Sequence, residues 1–296
     1  LVPLHTWLPD AGAEAPVGAG VLLVGVMDKV AIYGFLRYCL PLLPEASRAL
    51  APLVLVLAVA GIIYAALLAV GQSDLKRFVA YTSVAHFGFI GLGVFAFSTQ
   101  AQAGAVLYMV NHGISTGMLF IVVGMLIARG GSRLINDYGG VAALAPALAG
   151  MMLLAGLSSL ALPGTNSFVS EFMVLVGSYP RQPIFTIIAT AGIILAALYV
   201  LWVYQRVMQG PVRGAAVVGA LDGPGTATAP EAAAQRQRAR FPDLSIREVA
   251  VLAPLVALIL LLGFYPQPVL DVINPSVGAT LTEVGLTDPV VEQGGN

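Results

Sequence analysis

Charge is what this sequence has least of. Only 10% of its 296 residues are charged, against about 25% in an ordinary soluble domain. That shortage excludes a soluble enzyme and a disordered chain, and a net charge of −1 leaves no basic face for nucleic acid. Cysteine is nearly missing: a lone Cys39 has no intrachain partner, which excludes a disulfide scaffold. No His, Cys and carboxylate spacing suits a metal ion, and no glycine-rich loop stands between a strand and a helix to cradle phosphate. No basic stretch precedes an apolar core at the start, so no signal peptide is expected in these residues. What the chain has in excess is apolar side chains, 58% of the total, with a mean hydropathy of +0.89. The class that remains is an all-α polytopic membrane protein, since a spanning helix needs about 20 apolar residues.

Seven apolar stretches can span a bilayer: Val17–Leu40, Leu50–Val70, Phe78–Phe97, Gly104–Ala128, Val141–Ser178, Ile184–Met208 and Val249–Phe264. The fifth is too long for one plain helix. It is interrupted at Leu162-Pro163-Gly164-Thr165-Asn166, where proline and glycine break the hydrogen-bond ladder, and Ser167–Ser178 is too short to cross alone. Residues 1–16 read as the end of a broken transmembrane helix and a loop, so we expect a fragment with spans missing upstream. Residues 17–208 hold six of the spans. The Ala-, Gly- and Pro-rich stretch Gly214–Gln237 reads as a flexible linker inside a cytoplasmic segment 209–247. A last span follows at 248–265. The amphiphilic tail 266–296 is expected on the outer side, with its last residues poorly ordered.

The basic residues support one broken span over two separate ones. With one broken span, ten fall on one side: Lys76, Arg77, Arg129, Arg133, Arg206, Arg213, Arg236, Arg238, Arg240 and Arg247. Arg37, Arg48 and Arg181 fall on the other, and Lys29 inside a span completes the 14. Cytoplasmic loops carry the excess of lysine and arginine.

The informative residues are the ionisable ones inside apolar runs. Lys29 lies mid-span, where a lysine costs about 2.5–3.5 kcal/mol on insertion scales. It reads either as a proton-carrying group or as structural glue paired with a carboxylate. Asp28 is adjacent, and neighbouring helical residues diverge by about 100°, so Asp28 is not expected to be its main partner. Glu171 follows the Pro163-Gly164 break, where the positive end of a half-helix favours a carboxylate. It is either a proton group or a cap. His86 follows Tyr81, Thr82 and Ser83; His112 follows Asn111 and precedes Ser115 and Thr116. Histidine titrates near neutrality, which suits a relay, although a buried histidine is often just a hydrogen-bonded core residue. Together these are separate helices each presenting one protonatable group at mid-membrane depth.

Several motifs carry a family resemblance. They are Pro3-Leu4-His5-Thr6-Trp7-Leu8-Pro9-Asp10-Ala11 with Glu14-Ala15-Pro16, Lys29 with Tyr33-Gly34-Phe35-Leu36-Arg37, and Gln72-Ser73-Asp74-Leu75-Lys76-Arg77 leading to Ala80-Tyr81-Thr82-Ser83. Further along stand Pro163-Gly164-Thr165-Asn166-Ser167-Phe168, Ser170-Glu171-Phe172-Met173, and Leu262-Gly263-Phe264-Tyr265-Pro266-Gln267-Pro268. This set resembles the antiporter-like subunits of respiratory complex I (NADH-quinone oxidoreductase). Glu171, where related subunits and Mrp antiporters usually carry lysine, and the Gly-Phe-Tyr-Pro-Gln-Pro ending are similar to the bacterial subunit M group. The resemblance implies the last seven of fourteen spans, the second half of an inverted-repeat fold, with the glutamate–lysine pair of the first half-channel before Leu1. A chain lacking that half is not expected to pump alone.

By the same resemblance Lys29 is the central lysine, His86 and His112 are the connecting histidines and Glu171 is the exit-side glutamate; Asp28 and Lys76 are added as candidate modulators. Asp28 departs from the apolar residue usual before the lysine. The implied function is a non-redox, proton-translocating subunit of a proton-pumping NADH:quinone oxidoreductase, with no cofactor or metal in this chain. Its implied partners are the other membrane-arm subunits, especially two neighbouring antiporter-like ones, in the lipid of a bacterial cytoplasmic membrane. The alternatives are a Mrp-type cation/proton antiporter subunit and a structural spacer of the membrane arm.

Overall fold

A computed structural model describes residues 1–218 and 241–288. Ten helices organise them: α1 Trp7–Glu14, α2 Val17–Leu42, α3 Pro44–Val70, α4 Leu75–Phe95, α5 Thr99–Gly130, α6 Pro146–Ser159, α7 Asn166–Ser178, α8 Pro183–Met208, α9 Ile246–Phe264 and α10 Gln267–Glu283. Six of them, α2, α3, α4, α5, α8 and α9, are long and apolar enough to cross a membrane. The β-type pairing among the described residues is a single bridge between Asp74 and Leu134.

Helix ends follow local chemistry. Pro44, Pro146 and Pro183 open α3, α6 and α8, where a missing N–H is no loss. The Asp74 carboxylate accepts from the N–H groups of Lys76 and Arg77 to start α4. Ser98 caps α5, Ser245 and Glu248 form a capping box on α9, and Gly131, at φ 71°, ends α5.

The fifth apolar stretch is one broken span, as expected. Its pieces α6 and α7 have 14 and 13 residues, about 20 Å each, so neither crosses a hydrocarbon core of about 30 Å alone. Between them the chain turns through Ala161 at φ 60° and Gly164 at φ 93°. Gly263 of α9 lies against this turn so closely that an added Cβ would collide with the Gly164 carbonyl oxygen. The start of the stretch differs from expectation: Val141–Ala143 is a separate short turn, and the helix begins at Pro146.

Helix α4 is the axis of the bundle, with every residue buried except Arg77 and Tyr81. α3, α5, α7 and α8 pack around it. The outer helices turn apolar side chains outward, among them Leu53 and Leu67 of α3, Ile187 and Ile194 of α8, and Leu261 and Phe264 of α9. Such a surface suits lipid and not water.

Polar residues gather at the two ends. At one end Arg133 meets Glu14 at 2.9 Å and Asp74 at 2.8 Å. Arg129 meets Glu248 at 2.7 Å, and Asp243 accepts from the first free N–H groups of α6, Ala147 and Leu148. At the other end Ser98 donates to the Gly177 carbonyl at 2.6 Å, and Asp288 accepts from the Thr99 N–H at 2.7 Å.

Three expectations are refined. Residues 7–14, expected as a helix end and loop, form α1. The amphiphilic tail contains a full helix, α10, whose Ile273 and Val277 pack against Ala103 and Leu107 of α5. Of the expected linker, Ala215–Val218 make one helical turn, and 219–237 lie outside the described residues, as do 289–296 of the tail.

Candidate functional site

Four ionisable groups expected from the sequence come from four different helices: Lys29 from α2, His86 from α4, His112 from α5 and Glu171 from α7. All four are buried. The structure brings the first three into direct sequence. Lys29 Nζ stands 2.7 Å from His112 Nδ1, and the rings of His112 and His86 meet edge to face with centroids 5.3 Å apart. Glu171 connects through a residue that sequence reasoning missed. The Tyr108 hydroxyl donates to Glu171 Oε2 at 2.9 Å, and its ring lies 5.9 Å from that of His86.

Lys29 owes its position to a distorted helix. Leu23–Met27 form a π-type turn in which the Asp28 N–H reaches back five residues to the Leu23 carbonyl. Such turns shift the face on which later side chains emerge. The ammonium has three N–H donors, and three acceptors meet it: His112 Nδ1, the Val24 carbonyl and the Asp28 carboxylate. The Phe87 ring lies 5.5 Å away on a further side.

Asp28 corrects an expectation. Its Oδ1 sits 2.8 Å from Lys29 Nζ, so it is a direct ionic partner. The 100° divergence holds at Cβ, but a four-carbon stem curls back across it. Two unpaired charges inside apolar surroundings would cost more than that bend. The contact is ionic without regular hydrogen-bond geometry.

A second polar cluster fixes the broken helix. Asn166, the first residue of α7, bonds to two serines and an asparagine. Its Oδ1 accepts from Ser158 at 2.7 Å and Ser115 at 3.0 Å, and its backbone carbonyl accepts from Asn111 Nδ2 at 2.7 Å. Asn111 Nδ2 also donates to Ser170 at 3.1 Å, and Ser115 and Ser167 lie 3.2 Å apart. Backbone freed by a break in a membrane helix needs such partners. The cluster sits on the same stripe of α5 as Tyr108 and His112, since residues 108, 111, 112 and 115 share one helix face.

Among the described residues, several buried polar atoms on the helices that carry the histidines, or on the adjoining α6, have no protein partner: His112 Nε2, the Asn111 Oδ1 and the Ser83, Thr116 and Ser159 hydroxyls. His86 makes no side-chain hydrogen bond of regular geometry, with the Ser159 backbone as its polar neighbour. Among the described residues no group of three or more His, Cys, Asp or Glu is placed to hold a metal ion. Lys76, expected as a modulator, lies at the polar end. It donates to the Ala13 and Ala15 carbonyls at 2.6 Å each, closing the C-terminal end of α1.

The signal for Tyr108 was its place four residues before His112 on one helix face. The signal for the Asn166 cluster was the density of Ser and Asn flanking the break. Neither identifies a partner until the packing of α5 against α7 is known.

Comparison with known proteins agrees with this architecture. Residues 1–198 match the family model described as NADH:quinone oxidoreductase/Mrp antiporter, TM. NADH-quinone oxidoreductase subunit M of Mycobacterium tuberculosis (strain CDC 1551 / Oshkosh) is 46% identical over 289 residues, which is 98% of this chain and 48% of the relative. Subunit M of Rickettsia bellii (strain RML369-C) is 40% identical, over 94% of this chain and 52% of the relative. The chain thus spans about half the length of the curated relatives it matches. Among solved structures, respiratory complex I from Thermus thermophilus with bound NADH superposes with a TM-score of 0.82 at 30% identity, over 97% of this chain and 56% of that one. The Mrp complex from Dietzia sp. DQ12-45-1b shares the fold, with a TM-score of 0.77 at 22% identity over 96% of this chain and 58% of that one. By its helices, its broken span and its motifs, the chain belongs to the NADH:quinone oxidoreductase/Mrp antiporter transmembrane family.

Proposed function

We propose that this chain forms a proton path in the membrane arm of a bacterial NADH-quinone oxidoreductase, as part of a subunit M. The observation that carries the proposal is the 2.7 Å contact between Lys29 Nζ and His112 Nδ1, made between two spans, with His86 next in line. A passive scaffold has no need of a lysine, two histidines and a glutamate on four packed helices, since each raises the cost of insertion.

Lys29 holds the proton. Transfer takes it from Nζ to Nδ1 of His112, which leaves a neutral amine and an imidazolium. The unpartnered hydroxyls and ring nitrogens around the histidines offer a water molecule the hydrogen bonds it needs, so water carries the proton onward to Glu171, which releases it at the outer side. Asp28 sets how tightly Lys29 keeps its charge. In this reading quinone reduction takes place elsewhere in the complex and drives the charge changes at Lys29. The other membrane-arm subunits are the partners, especially the two neighbouring antiporter-like ones, and the bacterial cytoplasmic membrane is the location.

The test uses inverted vesicles carrying the complete complex with Glu171→Gln. NADH-driven acidification and electron transfer to quinone are recorded together. Loss of acidification from an assembled complex supports the path. Wild-type rates of both make Glu171 a helix-end cap and the chain a spacer.

A further inference from the structure

We propose that Tyr108 is a charge-sensing latch on Glu171, holding the empty carboxylate against α5 on the side of the histidines and letting go once the carboxylate is loaded. The inference rests on the proton-path reading for the role of Glu171.

The geometry is specific. Tyr108 is fully buried. Its ring is fixed between His86, at 5.9 Å, and Phe89, at 6.5 Å between centroids, and its hydroxyl reaches Glu171 Oε2 at 2.9 Å. Among the described residues this is the one hydrogen bond that the carboxylate accepts. The other ionisable groups around it do not compete for it. Tyr199 of α8 is buried and makes no hydrogen bond to it among the described residues. His112 is engaged with Lys29. In α9, Glu248 pairs with Arg129 at the polar end, and the acidic residues of α10, Asp271 and Glu283, are exposed.

The latch follows from hydrogen-bond physics. A phenol donating to a carboxylate makes a charge-assisted bond about twice as strong as one to a neutral carboxyl. While Glu171 is anionic, Tyr108 holds it where a proton from the histidine side can reach it. When Glu171 gains that proton, the phenol keeps its own, the contact becomes neutral, and the side chain is free to turn toward the outer end of α7. Reprotonation from the outer side is disfavoured because the empty carboxylate is drawn back to Tyr108. Tyr108 is thus a positioning residue, acting through Glu171.

The experiment uses the complete complex in inverted vesicles, with three substitutions at this pair. Glu171→Gln identifies the infrared band of the Glu171 carboxyl by its disappearance. Tyr108→Phe keeps the ring and removes the donor. A ring-fluorinated tyrosine at 108 keeps the hydroxyl and strengthens it as a donor, and it maintains the test if the Phe variant does not assemble. The expected result is that the Glu171 band moves in opposite directions in the Phe and fluorotyrosine variants. Loss of the charge-assisted bond lowers the ratio of held to released carboxylate by roughly tenfold or more. Protons pumped per electron then fall in Tyr108→Phe while electron transfer continues. An unmoved band and a wild-type pumping ratio in both Tyr108 variants, with pumping lost in Glu171→Gln, overturn the latch and leave the proton path standing. Wild-type pumping in Glu171→Gln overturns both.

Discussion

Removing the Lys29 ammonium while keeping its bulk separates structural glue from function. In Lys29→Met the Asp28 carboxylate loses its ionic partner at 2.8 Å, and the Val24 carbonyl and His112 Nδ1 lose a donor. Breaking a buried pair by deleting one member costs about 3–5 kcal/mol, because the other charge stays buried and unpaired. Asp28→Leu alone is expected to cost a similar amount. Replacing both by apolar residues removes that penalty, and such replacements are often neutral. The double variant Asp28→Leu/Lys29→Met is therefore expected to be less destabilised than either single variant, so the coupling between the two contacting residues exceeds either single loss of about 3–5 kcal/mol. Denaturant titration of the purified complex measures the stability cycle, and vesicle acidification measures pumping. The expected outcome is a well-assembled double variant that transfers electrons and does not pump. A double variant that pumps at the wild-type rate refutes the assignment of Lys29 to the proton path, because the pair is then glue. Additive losses refute the pairing itself.

Other perturbations test the supporting structure. Lys76→Met leaves the Ala15 carbonyl without its side-chain donor, while Ala13 keeps the one from Arg133 at 3.1 Å, at about 1–3 kcal/mol for the orphaned group; hydrogen exchange in Trp7–Glu14 is expected to speed up roughly fivefold or more, with α5 unchanged. Asn166→Ala removes the acceptor shared by Ser115 and Ser158 and is expected to lower the unfolding midpoint and expose residues 160–165 to exchange, whereas unchanged protection there would mean that the cluster does not hold the break. Gly263→Val pushes a side chain into the Gly164 carbonyl and should destabilise by about 1–3 kcal/mol or more, read as reduced assembly on a native gel. Asp10→Asn, by contrast, touches an exposed pair with Arg77 and should change stability by less than about 1 kcal/mol.

Much of the fold was legible because a bilayer imposes a coarse rule on sequence. Stretches of about 20 apolar residues become helices, and the structure extends most of them by a few residues toward polar caps such as Asp74, Ser98 and Ser245. The break was legible from Pro163-Gly164, since few residues stop a helix so firmly. Lys29, His86, His112 and Glu171 stood out because ionisable groups are rare in apolar runs. What was not legible depended on backbone detail or on a second helix. The π-type turn at Leu23–Met27 carries no sequence signature, and the Asp28–Lys29 contact depends on a four-carbon stem curling back, which a rule about Cβ directions does not capture. Tyr108, Asn111 and Ser115 are ordinary residues in a membrane helix until α7 is laid against them. The helical part of the tail, α10, was read only as amphiphilic, although Ile273, Val277 and Leu281 recur on one face.

The two polar clusters impose different demands on the same helix, and their arrangement explains why α5 is built as it is. Asn111 and Ser115 hold the start of α7 through Asn166 and Ser170, so they work only if the break stays closed. Tyr108, one turn away, binds Glu171 in the second turn of α7, where a side chain can swing without disturbing the break. Fixing the backbone of a half-helix while leaving one carboxylate able to change partner requires that its anchors be numerous and its latch single. The arrangement fits the proposed latch: a network of Ser and Asn side chains converges on Asn166, and among the described residues one phenol donates to Glu171. Adding a donor beside the latch, for example by Val174→Ser one turn beyond Glu171, should give the carboxylate a second partner. The expected consequence is slower pumping with normal assembly, measured as acidification rate against electron transfer; an unchanged rate would show that release of Glu171 does not limit turnover.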